Sequence, residues 1–212
     1  MMDINIEYLS GNGSFDSDEC IELLKECDVV VTNPPFSLFR EYVALLMQYN
    51  KKFLIIGNMN AITYKEIFPL IKENKLWLGV SRNGCGQMYF HIDDDAPQAK
   101  GQIIVDGQRM QTIGSSAWFT NIDHKKRHQE IDLYKHYNAD EYPKYDNYNA
   151  IEVSKVCEIP MGYDGVMGVP ITFLGKYCPT QFEIIKFRKG NDDKDLSVNG
   201  KCPYFRILIK KL

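Results

Sequence analysis

Residues 28–48 constrain this chain most. Asp28-Val29-Val30-Val31-Thr32 is a short β-branched run of the kind that forms a strand covered on both faces of a sheet. It ends in Asn33-Pro34-Pro35-Phe36, where each proline fixes its own φ and pushes its predecessor away from the helical region. The chain must therefore leave the strand through a rigid, extended turn. Ser37 can cap the helix that follows, along which Phe39, Tyr42, Val43, Leu46 and Met47 recur at three-and-four spacing, ending near Tyr49-Asn50.

The flanking segments extend this pattern. Residues 4–9 read as a strand, Gly11-Asn12-Gly13 breaks it, and Ser17-Asp18-Glu19 opens a helix through Lys25. Phe53-Leu54-Ile55-Ile56 reads as another buried strand, and Thr63 starts a third helix over residues 64–75 that contains Pro69. Strands alternating with helices predict a parallel sheet with crossover helices. After Leu76-Trp77-Leu78-Gly79 the character changes. Asp106-Gly107 signals a hairpin between residues 102–105 and 108–111, and residues 134–149, crowded with Tyr, Asn and Asp, read as an ordered surface loop. Strands are expected again over 171–174, 182–185 and 205–209. The reading is an α/β protein with one region over 1–80 and a mixed, strand-rich region over 81–212 packed on it.

With 212 residues, 44% of them apolar, the chain can bury a substantial core. No run approaches the ~18 apolar residues of a membrane span, and the start has no signal-peptide character, so no membrane is expected and the cytoplasm is the default. Six scattered cysteines without a Cys-x-x-Cys pair read as reduced thiols. A net charge of −3 makes no global case for nucleic acid, so any such contact must use a local basic face.

The Pro-Pro turn sits where a buried strand gives way to a helix, and ligands of open α/β sheets bind outside the carboxyl ends of strands. Such a turn can aim the Asn33 amide and a backbone carbonyl at one small polar group while Phe36 presents a flat face. An amino group on an aromatic heterocycle suits it: two acceptors take its two hydrogens and the ring stacks. An isolated Asn-Pro-Pro-Phe would be an ordinary turn; its position after this strand and before this helix favours the functional reading.

Here the chain resembles the DNA amino-methyltransferases, and most closely the EcoRI-type adenine-specific group. Asn33-Pro34-Pro35-Phe36-Ser37-Leu38-Phe39-Arg40-Glu41-Tyr42, Phe53-Leu54-Ile55-Ile56-Gly57-Asn58, Asn60-Ala61-Ile62-Thr63-Tyr64-Lys65 and Gly168-Val169-Pro170-Ile171-Thr172-Phe173-Leu174 carry the resemblance over nearly the whole chain. It implies a partial Rossmann-like methyltransferase sheet in residues 1–80 and a target-recognition region in 81–212. It also implies methyl transfer from S-adenosylmethionine to the exocyclic amine of an adenine in double-stranded DNA, a chemistry found in restriction-modification. Asn33 and the carbonyl of Pro34 would hold the amine, Pro35 would stiffen the turn, and Phe36 would stack on the flipped base.

The family's glycine-rich cofactor loop follows an earlier strand of the sheet. Two strands, two helices and their connections need roughly 55 residues, and only 32 precede Asn33. Gly11-Asn12-Gly13 stands in the wrong place for that loop, because its helix leads directly into the motif strand. The expectation is an N-terminally truncated chain that binds S-adenosylmethionine weakly or not at all by itself, with a bared strand that invites a homo-oligomer, a completing subunit, or the strand of residues 4–9 moving in beside it. The alternative function is a non-catalytic homologue acting as a DNA-binding or protein-interaction module.

Weaker features remain. His124-Lys125-Lys126-Arg127-His128 is a basic cluster in which Lys125, Lys126 and Arg127 could meet phosphates, or which is simply a solvated helix start. His124 and His128 have helical ligand spacing, but no carboxylate or cysteine follows in a zinc pattern, so no metal site is expected. Arg82-Asn83-Gly84, with Gly86-Gln87, could read base edges or form a polar turn. Trp118-Phe119 reads as core, and the tyrosines of residues 134–148 as loop packing or DNA contact.

Overall fold

A single long strand organises the first half of the molecule. The computed structural model describes residues 8–80, 87–188, 196–203 and 205–212. Its early elements are α1 (Asp18–Glu26), β1 (Val29–Thr32), α2 (Phe39–Gln48), β2 (Lys52–Asn58), α3 (Phe68–Lys72), β3 (Trp77–Leu78), β4 (Gln87–His91), β5 (Gln102–Val105) and β6 (Gln108–Thr120). β6 takes β2 and then β5 along one side and β3 and then β4 along the other, while β1 closes the far edge through β2. β1 and β2 run parallel with Val31 opposite Leu54; β2 and β6 run antiparallel with Ile55 opposite Phe119.

Local chemistry explains most of these elements. Ser17 caps α1, its hydroxyl accepting the Cys20 N–H at 3.3 Å, with Asp18 and Glu19 in the first turn and Lys25 in the last. α2 buries Phe39, Val43 and Leu46, the stripe expected from spacing, and Asn50 leaves it with φ 51°. The β5–β6 connection is a two-residue turn in which Asp106 and Gly107 have φ 51° and 77°, the left-handed pair that matches strand twist.

The second half begins with β7 (Lys135–His136) and β8 (Ile151–Glu152), followed by β9 (Pro160–Met161), β10 (Met167–Pro170), β11 (Phe182–Arg188) and β12 (Arg206–Lys211). Its sheet runs β11-β12-β10-β8, and β7 pairs in parallel with β9. One apolar core joins the halves: Phe53, Phe119, Ile151, Phe173 and Ile209 belong to the same cluster, and the rings of Phe68 and Phe187 lie 5.2 Å apart.

Several expectations are corrected. Ser37 caps nothing: residues 36–38 form a 3-10 turn and α2 starts at Phe39 without a side-chain cap. The third helix shrinks to Phe68–Lys72 because Pro69 lacks an N–H and fits only in a first turn; residues 59–63 form a 3-10 turn. Within the first sheet only the β1–β2 pair is parallel among the described residues, because β6 returns antiparallel beside β2. β1 is not covered on both faces: Val29 and Val31 are 46% and 66% exposed. Residues 171–176 form a 3-10 turn after β10, not a strand. In the tyrosine-rich segment Tyr142 and Tyr145 are buried. β4, β5 and β6, which follow residue 80, belong to the same sheet as β1, β2 and β3. The strand expected over residues 4–9 falls mostly outside the described residues; Tyr8 and Leu9 form no strand.

Candidate active site

Because β1 and β2 are parallel, their carboxyl ends share one edge of the sheet, and two loops leave it side by side. The first is the motif turn. Pro35 is extended, with φ −56° and ψ 126°, and residues 36–38 then tighten, Leu38 N–H donating to the Pro35 carbonyl at 3.0 Å. Pro34 is buried and anchors the turn; Asn33 is exposed and Phe36 is 39% exposed. Neither the Asn33 amide nor the Pro34 carbonyl is engaged by another described residue. The turn thus presents two acceptors and a ring to solvent from a rigid base.

That base is packing. Phe39, three residues beyond Phe36, lies edge-on to Phe119 with ring centroids 5.0 Å apart. Its ring covers Gly57, where a Cβ would fall 2.4 Å from Phe39 Cε2 and 3.0 Å from Phe119 Cδ2. Glycine at this point of β2 lets the start of α2 sit against the sheet, which fixes the turn.

The second loop leaves β2 at Asn58, whose Oδ1 accepts the Asn60 N–H at 2.9 Å and opens the 3-10 turn over Met59–Thr63. Tyr64 follows, and the Arg40 guanidinium of α2 lies over its ring, 5.6 Å from the centroid. Neither residue stands out in the sequence; the one signal was the place of Arg40, four residues after Phe36.

Other candidate residues lie elsewhere. The basic cluster follows β6, whose end pairs with Leu54 near the start of β2, so it lies at the opposite end of that strand from the motif turn. Its members differ. Arg127 is largely buried: it stacks 3.9 Å over Trp77, donates to Asn74 Oδ1 at 2.9 Å, and approaches Asp123 at 3.7 Å. It is a packing residue, contrary to the reading that grouped it with phosphate contacts. His128 bonds to Asp123, whose carboxyl is held below its ordinary value chiefly by that hydrogen bond. Lys125 is exposed and Lys126 half-buried, and neither forms an ion pair with a described residue. His124 accepts the Arg127 N–H at 3.3 Å. Arg82 lies outside the described residues.

The glycine pair near the start is also occupied. The N–H groups of Ser10 and Gly11 donate to the Glu19 carboxylate at 2.9 and 3.0 Å, and Ser14 N–H donates to Asn12 Oδ1 at 2.9 Å. These backbone donors hold the Glu19 carboxyl below its ordinary value. Two N–H groups of this loop are thus engaged by the helix that follows it, and a third by the loop's own Asn12.

Comparison with known proteins follows the same line. A family model described as adenine-specific methyltransferase EcoRI matches residues 1–212. The chain is 56% identical over 212 residues to the type II methyltransferase M.EcoRI of Escherichia coli, covering 98% of this chain and 65% of that protein. It is 41% identical to the type II methyltransferase M.MgeORF184P of Mycoplasma genitalium and 40% identical to M.MpnI of Mycoplasma pneumoniae, covering 96% of this chain and 70% of each relative. The chain thus spans about two thirds of the length of these relatives. No solved structure matches it. With a family match from end to end and a motif turn exposed at the carboxyl edge of its parallel strands, the chain belongs to the EcoRI family of adenine-specific methyltransferases.

Proposed function

We propose that this chain forms the target-binding half of an adenine-specific DNA methyltransferase of the restriction-modification type. The observation that carries the reading is the exposure of Asn33 and Phe36 on a turn whose Pro34 is buried. An adenine rotated out of the duplex would stack on Phe36 and donate its two amine hydrogens to Asn33 Oδ1 and the Pro34 carbonyl. Both contacts raise the amine's nucleophilicity and strengthen as positive charge develops on its nitrogen, which is what accelerates direct attack on a methyl donor. In this reading the strands of residues 1–80 form part of a Rossmann-like sheet, residues 81–212 contribute to target recognition, and Lys125 and Lys126 meet phosphates away from the target base.

S-adenosylmethionine would supply the methyl group, and in the one glycine pair near the motif the Ser10 and Gly11 N–H groups that could cradle it are taken by Glu19. Calorimetry on this chain is therefore expected to show no tight binding of S-adenosylmethionine. Stoichiometric, tight binding would return Gly11-Asn12-Gly13 to the list of cofactor residues.

Among the described residues β1 pairs only with β2, so its other edge is open, and Val29 and Val31 are exposed on one of its faces. Such an edge invites another strand. Sedimentation is expected to show association with a second copy or a completing subunit. A monomer at every concentration, with rapidly exchanging β1 amides, would contradict this.

A further inference from the structure

Arg40 occupies the first turn of α2, where a cation opposes the helix dipole. Nothing in the described structure offsets this with a charge: Arg40 is exposed and has neither an ion pair nor a hydrogen bond with any described residue. Glu41 is its neighbour in sequence, but adjacent helical residues do not face each other. Lys65, in the loop beyond Tyr64, approaches Glu66 at 3.7 Å, which leaves Arg40 the cation without a carboxylate partner at the junction of these two loops. The guanidinium is nonetheless held, by its position 5.6 Å from the centroid of the half-buried Tyr64 ring. A free, pre-oriented fork of N–H donors therefore bridges the two loops at the carboxyl edge of β1 and β2, four residues beyond Phe36.

We infer that Arg40 binds the phosphate of the nucleotide whose base stacks on Phe36, and that Tyr64 is a positioning residue for it. This rests on the reading of the Asn33 to Phe36 turn as the target-base site. Phe36 opens the 3-10 turn that leads into α2 and Arg40 lies in the first turn of that helix, so one short junction carries a ring for the base of a nucleotide and a guanidinium for its phosphate. Guanidinium matches phosphate with parallel N–H donors, and stacking on an aromatic face leaves those donors free.

The test is a salt titration of binding to a fluorescently labelled duplex of mixed sequence, read by anisotropy, with thermal melts of each variant. Losing one phosphate contact flattens the slope of log affinity against log salt by about 0.9. Arg40→Gln is expected to show that change together with a roughly tenfold loss of affinity at low salt. Its melting temperature should be unchanged or slightly raised, since a cation has left the helix start. Tyr64→Leu should reproduce part of the affinity loss, and Tyr64→Phe, which keeps the ring, should restore it. If wild-type protein binds the duplex and Arg40→Gln leaves slope and affinity unchanged, the assignment of Arg40 is wrong while the target-base reading stands. If Arg40→Gln instead lowers the melting temperature without changing the slope, its role is structural and the inference fails. If wild-type protein binds no DNA at all, both readings fail.

Discussion

Replacing Glu152 with alanine is expected to lower stability by about 3–5 kcal/mol, enough to move the melting temperature down by roughly 6–20 °C in a chain of this size. Glu152 lies inside the second sheet at 8% exposure, and Arg206 of β12 donates to its carboxylate from Nε at 2.9 and 3.0 Å and from Nη2 at 2.5 Å. The Tyr145 hydroxyl donates to the same carboxylate. Gly168 of β10, opposite Glu152, makes room for this, because a Cβ there would fall 2.0 Å from the Tyr145 hydroxyl oxygen. Removing the carboxylate takes from a largely buried guanidinium the charged acceptor of its Nε and Nη2 hydrogen bonds, and that loss, not the net worth of the pair, sets the magnitude. The paired replacement Glu152→Leu with Arg206→Met should consequently cost far less than Glu152→Ala alone. Equal losses in the two would show that packing, and not the broken ion pair, sets the cost.

The same cluster predicts a pH dependence. Burial first, and then the hydrogen bond to Glu152 and its negative charge, push the Tyr145 hydroxyl well above the ordinary tyrosine value. An unfolded chain releases this proton near pH 10, while the fold retains it. The unfolded state therefore binds fewer protons above about pH 10, and stability, fully present below that value, falls as pH rises further. Tyr145→Phe should remove this part of the alkaline decline.

How much of this was legible in the sequence depended on the range of the interactions involved. β1, α2, β2 and the Asp106-Gly107 hairpin are written in local periodicity and turn chemistry, and the chain adopts them where that pattern places them. The motif turn was legible for the same reason, since two prolines dictate their own geometry. What local pattern could not carry were consequences of pairing at a distance. Nothing near Gln108 announces that β6 continues for thirteen residues and enters the first sheet between β2 and β3. That pairing makes the sheet mixed and sends the basic cluster to the far end of β2. Arg127 reads as a surface cation until Trp77, fifty residues earlier, is seen beneath it. Tyr145 and Gly168, likewise, become a matched pair only once β8 and β10 align.

The decisive expectation concerns Asn33 and Phe36, because it separates an enzyme from a binding module. Both side chains are exposed, so Asn33→Ala and Phe36→Ala should leave the melting temperature nearly unchanged. Asn33→Ala removes an acceptor whose hydrogen bond is strongest in the transition state, and, with a segment supplied that completes the methyl-donor site, it should lower kcat for methyl transfer to adenine-containing duplex DNA by about 10²–10³-fold with little change in KM. Phe36→Ala removes the stacking surface, typically worth about 1–3 kcal/mol, and should weaken capture of the extruded base by roughly 5- to 150-fold. The two effects have separate readouts: incorporation of labelled methyl groups reports the first, and the fluorescence of 2-aminopurine at the target position, which rises when the base leaves the stack, reports the second. Methyl transfer that proceeds at the wild-type rate in both variants would show that this turn is not the active site. If no duplex is ever methylated and Phe36→Ala still abolishes the 2-aminopurine signal, the turn captures bases without completing the reaction. The non-catalytic DNA-binding reading then takes precedence, because base capture needs only what the turn itself presents, whereas turnover also needs a methyl donor held opposite it.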